Sequence, residues 1–328
     1  MTSGSDTTAQ ALWYVAEGKA EIRQETLAPF TGKGNVLLRA LFSGVSRGTE
    51  RIVSTGRVPS SEFSRMRCPH QAGEFPFPVK YGYALVAQVE AGPDNLVGRT
   101  VFALHPHQDR ACLPVAAVHP LPADLPPRRA VLGANMETAL NILWDSDVSA
   151  GDRVLVVGGG ILGLLTAALA RDAGGAVTVV DIRDERAAPC RALGVGFAPP
   201  DAAPADQDVV IHTSASEAGL ALALDAARFE GTIVEASWYG DLAPRVPLGG
   251  AFHSRRLRLV SSQVGAVAPA RRAEWSHARR LGHALELLCD SRFDDLLGED
   301  IPFAEAPARL PETLGRADSH RMPVLRYT

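Results

Sequence analysis

The sequence predicts an α/β protein in which a β-rich domain accompanies a doubly wound parallel sheet. Between Ala11 and about Arg129, short apolar runs such as VLLRALFSG and ALVAQVEAG are separated by Gly, Pro and Asn, which is typical of strands in a barrel or sandwich. From Gly151 onward, apolar strand-like runs alternate with alanine-rich helical segments, which is the pattern of βαβ units. The run MPVLRY near the C-terminus has the β-rich texture again, so we expect the parallel unit to be inserted within the β-rich one.

Length and composition are those of a folded protein with about two domains. The chain has 328 residues, of which 46% are hydrophobic and 21% charged, so disordered, collagen-like and coiled-coil proteins are excluded. A formal charge of −4 without blocks of like charge offers no attraction to nucleic acid or to an acidic membrane. We therefore expect neither of these as a partner, and a small molecule as the ligand.

The cysteines and the N-terminus predict a cytoplasmic location. Cys68, Cys112, Cys190 and Cys289 lie far apart and form no CxxC pair, so neither a disulfide framework nor a four-cysteine zinc site is indicated. The first ten residues, MTSGSDTTAQ, lack the features of a secretory signal, and we expect them to form a disordered tail. The longest uncharged run, residues 154–170, is too short and glycine-rich for a membrane span and suits a buried strand, turn and helix.

The elements of the second unit follow a proline-dense connector, HPLPADLPPRRA. The segment AVLGANMETALNILWDS has apolar residues at helical spacing, so a helix is expected to open this unit. Buried strands are predicted at DRVLVVG, AVTVVD, DVVIHTS, GTIVEAS and LRLVSSQV, which suit one doubly wound sheet of five to six strands. We place the β-rich domain at residues 1–132, the parallel-sheet domain at 133–266 and the return to the β-rich domain at 267–328.

The first turn of the predicted parallel sheet carries a dinucleotide-binding motif. In VLVVGGGILGLLTA, Gly158, Gly160 and Gly163 have GxGxxG spacing directly after a strand and at the start of a helix. Such glycines allow a tight turn, a close approach of the backbone to a pyrophosphate, and close packing of the helix on the strand. Ile161 and Leu162 open the helix, whose free N–H groups favour phosphate binding. The alternative is a glycine-rich turn that binds no ligand.

An acidic residue at the end of the next predicted strand supports the dinucleotide site. Asp181 stands 18 residues after Gly163, where a carboxylate can accept hydrogen bonds from both hydroxyls of the adenosine ribose. Its charge repels a 2′-phosphate, so the sequence favours NAD over NADP. NADP stays open because Arg183 lies close enough in sequence to soften that repulsion. In the alternative interpretation, Asp181 only caps the helix that follows.

The order of the parts and several local segments resemble the medium-chain dehydrogenase/reductase superfamily over nearly the whole chain. SGVSRGTE resembles the family's CGxCGTD segment, FPVKYGYALVAQVEAG its PxxxGHExxGxVxxxG segment, and GDRVLVVGGGILG its GDxVLVxGxGxxG segment. The resemblance implies a GroES-like catalytic domain, a Rossmann cofactor domain and a cofactor cleft between them.

The zinc ligands of the family are replaced in this sequence. In its zinc alcohol dehydrogenases, the catalytic metal is held by the second Cys of CGxCGTD, the His of GHE and a later Cys or acidic residue. These positions fall on Ser46, on Tyr83 and near Ala134, and hydroxyl groups are poor zinc ligands. The four-cysteine lobe of a structural zinc is absent as well. We therefore expect neither zinc, and the pattern most resembles the zinc-poor bacteriochlorophyllide dehydrogenase-like branch.

Four side chains could supply the polarisation and proton transfer that zinc normally provides. Tyr83 ranks first, because it stands where the family's metal ligand points into the cleft; the alternative is a packed aromatic ring. His105 and His107, in FALHPHQD, could exchange protons or contact the substrate, or be solvated loop residues. Glu50 could relay a proton or orient Tyr83, or be an exposed carboxylate at the start of a helix.

Further residues are predicted to contact the cofactor or the substrate. Arg47 corresponds to a position that in relatives can reach the cofactor pyrophosphate. Thr213 and Ser237 stand at the carboxyl edge of the predicted sheet, where ligands bind, and Gln263 lies near the end of the last strand segment. Asn135, at the start of the first helix of the second unit, could contact the substrate or cap that helix.

Together these features predict a zinc-independent, NAD(H)-linked oxidoreductase that transfers hydride between nicotinamide and an alcohol or carbonyl substrate. A second prediction is an enone or quinone reductase using NAD(P)H, whose acceptor needs less polarisation. A third is a non-catalytic NAD-binding sensor or partner protein. The apolar strand LRLVSSQV further predicts a homodimer in which this strand pairs across a two-fold axis.

Overall fold

The computed structural model describes residues 8–32, 34–315 and 320–327. Its strands are β1 (Thr8–Ala16), β2 (Lys19–Thr26), β3 (Asn35–Gly44), β4 (Ala72–Gly73), β5 (Val79–Lys80), β6 (Leu85–Ala91), β7 (Thr100–Ala103), β8 (Arg110–Pro114), β9 (Val118–Pro120), β10 (Arg153–Val157), β11 (Ala176–Val180), β12 (Gly196–Ala198), β13 (Gln207–His212), β14 (Ala227–Glu235), β15 (Arg258–Ser261), β16 (Leu297–Pro302) and β17 (Met322–Arg326). Its α-helices are α1 (Arg47–Ser54), α2 (Pro127–Ala130), α3 (Gly133–Ser146), α4 (Ile161–Asp172), α5 (Ala187–Ala192), α6 (Glu217–Ala226), α7 (His277–Leu287) and α8 (Ala306–Gly315).

The first strand corrects one expectation about the N-terminus. Thr8 begins β1, so residues 8–10 belong to a strand and not to a disordered tail, while residues 1–7 lie outside the described residues. The strand forms because Ala9 is buried in the core and Gln10 pairs with Gln24 of β2. Among the described residues, no helix combines the length and the apolar character needed to cross a membrane.

The second unit contains a six-stranded parallel sheet, as predicted. Its strand order is β12-β11-β10-β13-β14-β15, and every neighbouring pair is parallel. Val154 and Val156 of β10 pack in the core that contains α3 and α4, whereas Leu155 and Val157 pack with residues of α6. Helices therefore cover both faces, which explains why these strands are continuously apolar. The strand order reverses between β10 and β13, and ligands of such sheets bind at the carboxyl ends there.

The β-rich unit consists of two sheets. The larger has the order β16-β17-β3-β6-β7-β9, with β8 also paired to β3, and the smaller has the order β2-β1-β5-β4. Strand β17 is antiparallel to β3, with Val324 opposite Gly44, so the C-terminal segment adds strands to a sheet that begins near the N-terminus. This topology and the parallel sheet together confirm the predicted fold class. The domain boundaries at residues 132 and 266 stay a prediction.

The loop after β14 connects the two units on one side. Arg57 follows α1 in the β-rich unit and forms an ion pair with Asp241, at 2.8 Å. Gly240 lies so close to this segment that an added Cβ atom would stand 2.7 Å from the carbonyl oxygen of Arg57. Trp238 packs against the core of the β-rich unit. The loop at the carboxyl edge of the parallel sheet is therefore held against α1 and the residues that follow it.

Candidate active site

The glycine turn has the geometry that the motif predicts. Gly158 follows β10 with φ of 112°, a left-handed conformation that favours glycine, and an added Cβ atom would lie 2.8 Å from the Thr213 hydroxyl. A Cβ atom on Gly163 would lie 1.9 Å from the carbonyl oxygen of Gly158, so α4 packs on the turn only because this residue lacks a side chain. Gly160 is the N-cap of α4, and an added Cβ atom there would meet nothing within 4 Å. The turn therefore leaves open space directly before the N–H groups of Ile161 and Leu162.

Asp181 is attached to this turn by backbone hydrogen bonds. Its Oδ2 atom accepts a hydrogen bond from the N–H of Gly159 at 2.7 Å, and Oδ1 accepts one from the N–H of Arg183 at 3.0 Å. Each carboxylate oxygen has a second lone pair that these bonds leave available for another donor. The side chain is therefore oriented at the glycine turn rather than used only as a helix cap.

The strand-end residues are placed at the same edge of the sheet. Thr213 donates a hydrogen bond to the carbonyl oxygen of Gly158 at 3.0 Å, which connects the end of β13 to the turn. The hydroxyl of Ser237 accepts from the N–H of Ala215 at 3.1 Å. Gln263 is exposed after β15, and its side-chain oxygen accepts from the N–H of Gly265 at 2.6 Å. Thr213 and Ser237 thus stabilise neighbouring loops at this edge, while Gln263 is bonded to its own loop.

The polar cluster at this edge contains a pair, His212 and Glu235, that the sequence analysis did not identify. His212 and Glu235 are the last residues of adjacent strands and lie opposite each other in register. The Nδ1 atom of the fully buried His212 is 2.7 Å from Oε2 of Glu235, and its Nε2 atom is 2.6 Å from the Ser214 hydroxyl oxygen. The Tyr239 hydroxyl also donates to Glu235. A polar residue ending each of two strands was the signal in the sequence, but it does not reveal that the two strands are neighbours.

Tyr83 lies where the two units meet. It precedes β6, is partly exposed, and packs against apolar residues of both hydrophobic cores. Burial raises the pKa of Tyr83 to about 12, although hydrogen bonds with Ser46 and Thr49 partly counteract this shift. At neutral pH the side chain is therefore an uncharged phenol, which can donate a hydrogen bond. Two of the three positions that hold zinc in the resembling dehydrogenases therefore contain hydroxyl groups, Ser46 and Tyr83, which are hydrogen-bonded to each other.

Glu50 and His107 form a buried cluster behind Tyr83. Glu50 accepts hydrogen bonds from the N–H of Ser46 at 2.7 Å and from the Tyr14 hydroxyl at 2.8 Å, and its Oε2 atom is 3.0 Å from Nε2 of His107. The Nδ1 atom of His107 is 2.7 Å from the hydroxyl of Ser43. Glu50 and His107 are fully buried, so neither is the exposed carboxylate or solvated histidine that the alternatives described. This position lets them act on a substrate only through other residues.

The His107 ring nevertheless lies close to the backbone next to Tyr83. A Cβ atom added to Gly82, the residue before Tyr83, would lie 2.9 Å from the His107 ring. The ring therefore packs against the backbone that carries Tyr83 and restricts its position.

His105 is buried without a carboxylate partner in the described part of the chain. Its Nδ1 atom bonds to the carbonyl oxygen of Pro106 at 2.9 Å, and its ring lies 5.4 Å from that of His70. Burial lowers the pKa of His105 to about 3. The ring is neutral at physiological pH, and Nε2 is a hydrogen-bond acceptor, since Nδ1 donates to the carbonyl group. Its predicted catalytic role stays a prediction.

Two more predicted residues lie at the starts of helices. Arg47 is the first residue of α1 and is partly exposed. Asn135 lies in the first turn of α3, one residue after Ala134. The Oδ1 atom of Asn135 is buried and has no hydrogen-bond partner among residues 8–32, 34–315 and 320–327. A buried acceptor without a donor costs free energy, so Oδ1 is a suitable acceptor for a bound ligand.

The described residues contain no cluster of three or more His, Cys, Asp or Glu side chains that could hold a metal ion. All four cysteines are free thiols, and none pairs with another. Burial raises the pKa of Cys68 to about 12, so this thiol is protonated at neutral pH and is a poor metal ligand in that form. The hydroxyl groups of Ser46 and Tyr83 are also poor zinc ligands, so these two side chains do not fit a zinc ion at the positions where the resembling dehydrogenases bind it.

Comparison with known proteins identifies relatives in fold. No protein-family model matches the chain. An Escherichia coli protein described as a short chain alcohol dehydrogenase, solved with NADH, superposes with a TM-score of 0.77 at 14% identity, covering 98% of this chain and 99% of the other. 2R,3R-butanediol dehydrogenase from Bacillus subtilis gives 0.77 at 16% identity, covering 97% and 99%. A thermostable alcohol dehydrogenase from Pyrobaculum aerophilum gives 0.77 at 18% identity, covering 98% and 100%. The chain therefore has, over nearly its whole length, the fold of these dehydrogenases.

Proposed function

We propose that the protein is an NAD(H)-linked oxidoreductase acting on an alcohol or carbonyl compound. The observation that carries this proposal is the glycine turn at the reversal point of the parallel sheet. There Gly163 permits contact between α4 and the turn, and Gly160 leaves space before the helix N-terminus. The same fold in an alcohol dehydrogenase solved with NADH supports this proposal.

The residues around the turn fit a dinucleotide. The N–H groups of Ile161 and Leu162 begin α4 and would bind the diphosphate, favoured by the positive end of the helix dipole. Asp181 would accept hydrogen bonds from the ribose hydroxyls through the lone pairs that its backbone contacts leave available. Its negative charge opposes a 2′-phosphate, which favours NAD over NADP. Asn135 Oδ1 would accept a hydrogen bond from the cofactor or the substrate.

Tyr83 is the proposed proton donor. The nicotinamide, when bound, would supply hydride chemistry, and the oxygen atom of the substrate would need a partner for its proton. The Tyr83 phenol would hydrogen-bond that oxygen, and one such donor in a dry pocket is worth about 3 kcal/mol of transition-state stabilisation. Ser46 and Thr49 lower the pKa of the phenol and would stabilise the phenolate after proton transfer. Glu50 and His107 would position this group rather than contact the substrate.

We also propose that the chemistry needs no zinc. The positions of the zinc ligands in those enzymes correspond here to Ser46, to Tyr83 and to a position near Ala134. The hydroxyl groups of Ser46 and Tyr83 are hydrogen-bonded to each other. A protonated phenol and a serine hydroxyl are poor zinc ligands. Together with the fold, this pattern supports membership of the zinc-poor, bacteriochlorophyllide dehydrogenase-like branch of the medium-chain superfamily.

A cytoplasmic homodimer completes the proposal. Strand β15 lies at the edge of the parallel sheet, and Leu259 on it is 37% exposed. An edge strand with unpaired backbone groups can continue the sheet into a second copy of the chain. The four free thiols suit a reducing compartment.

The proposal is tested with Tyr83→Phe and the matched variant Tyr81→Phe, which removes a hydroxyl from the neighbouring buried tyrosine. We expect NADH to bind the wild-type protein with enhanced, blue-shifted fluorescence and to reduce members of a ketone and aldehyde panel. Tyr83→Phe should lower kcat about 100-fold or more without changing the Kd of NADH, whereas Tyr81→Phe should retain both.

Three results would contradict the proposal. Absence of NADH binding below millimolar concentration would remove the cofactor site. Tight binding without stereospecific hydride transfer would favour the sensor prediction. Stoichiometric zinc in the purified protein, with activity lost on chelation, would exclude the zinc-independent chemistry.

A further inference from the structure

Three side chains at the edge of the parallel sheet form a connected Ser–His–Glu array. The Ser214 hydroxyl oxygen lies 2.6 Å from Nε2 of His212, and Nδ1 of His212 lies 2.7 Å from Oε2 of Glu235. His212 is fully buried, whereas Ser214 is exposed. A nucleophile within hydrogen-bond reach of a histidine, which is in turn oriented by a carboxylate, is the arrangement that activates a serine in acyl transfer.

The neighbouring hydrogen bonds determine which way the protons point. Glu235 accepts from the N–H of Ser237 at 2.8 Å and from the Tyr239 hydroxyl at 3.2 Å. Burial alone would raise the pKa of Glu235, but the hydrogen bonds from His212 and Ser237 lower it overall, so the carboxylate is ionised and accepts. His212 must then donate from Nδ1 to Glu235. Its Nε2 atom is left as an acceptor for the Ser214 proton.

A further hydrogen bond orders the serine itself. The N–H of Gly219 donates to the Ser216 hydroxyl at 3.0 Å, and the Ser216 hydroxyl is 2.8 Å from that of Ser214. Because Ser216 already accepts one bond, it is able to donate its proton to Ser214, which in turn donates to His212. The chain of donors and acceptors therefore has one consistent direction from Gly219 to Glu235.

We propose that Ser214, His212 and Glu235 form a second active site that hydrolyses small esters, an activity separate from hydride transfer. The Ser214 oxygen attacks the acyl carbon while Nε2 of His212 takes its proton. The ester C–O bond breaks, and His212 gives that proton to the leaving alcohol. Water then attacks the acyl-serine ester, transferring its proton through His212 back to Ser214, and a carboxylic acid is released.

The backbone around Ser214 offers a site for the developing oxyanion. The N–H of Ala215, the residue after the nucleophile, is engaged by the Ser237 hydroxyl. The oxyanion would therefore use the first turn of α6, a helix of ten residues that begins at Glu217. The N–H of Gly219 is engaged by Ser216, so the donors would be the N–H groups of Glu217 and Ala218, which lack partners within the helix. Ala215 has φ of 50°, a left-handed conformation that sharply redirects the chain from Ser214 toward this helix.

Solvent access distinguishes this array from a similar one in the β-rich unit. Ser43, His107 and Glu50 also form a Ser–His–Glu series, with separations of 2.7 Å and 3.0 Å. All three of its members are fully buried, so no ester can reach Ser43. Of these two arrays, only the one that ends in Ser214 has a serine hydroxyl that a substrate can reach.

The proposal is tested on the full chain with a serine-directed fluorophosphonate probe and with hydrolysis of p-nitrophenyl butyrate. We expect mass spectrometry to locate the probe on Ser214. Ser214→Ala should lower hydrolysis more than tenfold and abolish labelling, while Ser61→Ala, at an exposed serine of the β-rich unit, should retain both. Thermal melts confirm that each variant is folded.

Glu235→Gln supplies the second arm of the test. It preserves the volume of the side chain but allows the wrong His212 tautomer, so labelling of Ser214 should slow at least tenfold. Absence of labelling at Ser214 in the wild-type protein would overturn the proposal. Equal labelling rates in the wild-type protein and Glu235→Gln would also overturn it, because Ser214 would then react without the array.

Discussion

The two Ser–His–Glu arrays have similar hydrogen bonds but different surroundings. Glu50 has a side chain that is 1% exposed and lies in the core of the β-rich unit, whereas Glu235 is 18% exposed at an edge of the parallel sheet. In the first array, the Ser43 hydroxyl is hydrogen-bonded to the buried Tyr327 hydroxyl, whereas the second array ends at the exposed Ser214. The comparison teaches that hydrogen-bond geometry alone does not assign a role. Burial makes one array a structural support for Tyr83, and exposure makes the other accessible to a substrate.

The largest expected effect is on stability, and it separates the arrays directly. Glu50→Ala leaves the buried His107 and Tyr14 without their acceptor, so the free energy of unfolding should fall by about 3 kcal/mol. Glu235→Ala should cost less, about 1 kcal/mol, because the Glu235 side chain is itself partly exposed and water can enter the space that it leaves. Urea unfolding measures both.

A control keeps this comparison specific. Glu74 pairs with Arg67 at 2.8 Å but is 75% exposed, so Glu74→Ala should change the free energy of unfolding by less than about 1 kcal/mol. Equal losses for Glu50→Ala and Glu235→Ala would refute the distinction drawn from burial.

The second prediction concerns His105, a buried histidine that, unlike His107 and His212, has no carboxylate partner among the described residues. His105 has no such partner in the described structure, and burial lowers its pKa to about 3, below the value of about 6.5 in an unfolded chain. Between these two pKa values the unfolded chain binds a proton at His105 and the folded protein does not. The free energy of unfolding therefore has its full value above pH 6.5 and decreases as the pH falls toward 3. Between pH 7 and pH 5 this loss should be about 2 kcal/mol.

The variant His105→Asn should remove that part of the pH dependence, as seen in urea unfolding at the two pH values. The matched variant His253→Asn, at an exposed histidine, should follow the wild-type protein. A wild-type pH dependence that His105→Asn leaves unchanged would show that His105 gains its proton without unfolding.

The third prediction concerns cofactor binding at the glycine turn, which involves neither of the two arrays. In Gly163→Ala the added methyl group would collide with the backbone oxygen of Gly158, so the turn must move and the Kd of NADH should rise about tenfold or more. Gly282→Ala adds the same group on α7, where nothing lies within 4 Å, and should leave the Kd unchanged. Fluorescence titration measures both values. Equal affinities would mean that the turn does not hold the cofactor.

The smallest expected effect concerns the choice of cofactor. Asp181→Ala removes the acceptor for the ribose hydroxyls and the charge that repels a 2′-phosphate, so the ratio of NADPH to NADH affinity should rise about fivefold. Asp184→Ala changes an exposed carboxylate in the same loop and should keep the wild-type ratio. A fivefold rise in both variants would indicate general electrostatics rather than a contact of Asp181.

The fold and the shape of the glycine turn were largely predictable because their signals are local. The GxGxxG spacing lies within six residues, and the apolar runs of β10 and β11 are continuous because helices cover both faces of the sheet. The surroundings of the catalytic candidates were less predictable. Glu50 and His107 were named as candidates, but their burial depends on the packing of β1, β3 and α1 around them.

The sequence by itself determined the glycine turn, the acidic residue after the second strand of the parallel sheet, and the hydroxyl residues at positions where the resembling dehydrogenases bind zinc. These features depend on residue type and short spacing, which the chain carries wherever it folds. Only the tertiary structure decided the pairing of Ser43 with His107, 64 positions away, and of His212 with Glu235, 23 positions away. Such pairs form when separate strands become neighbours, and their protonation and access to solvent are properties of the packed chain.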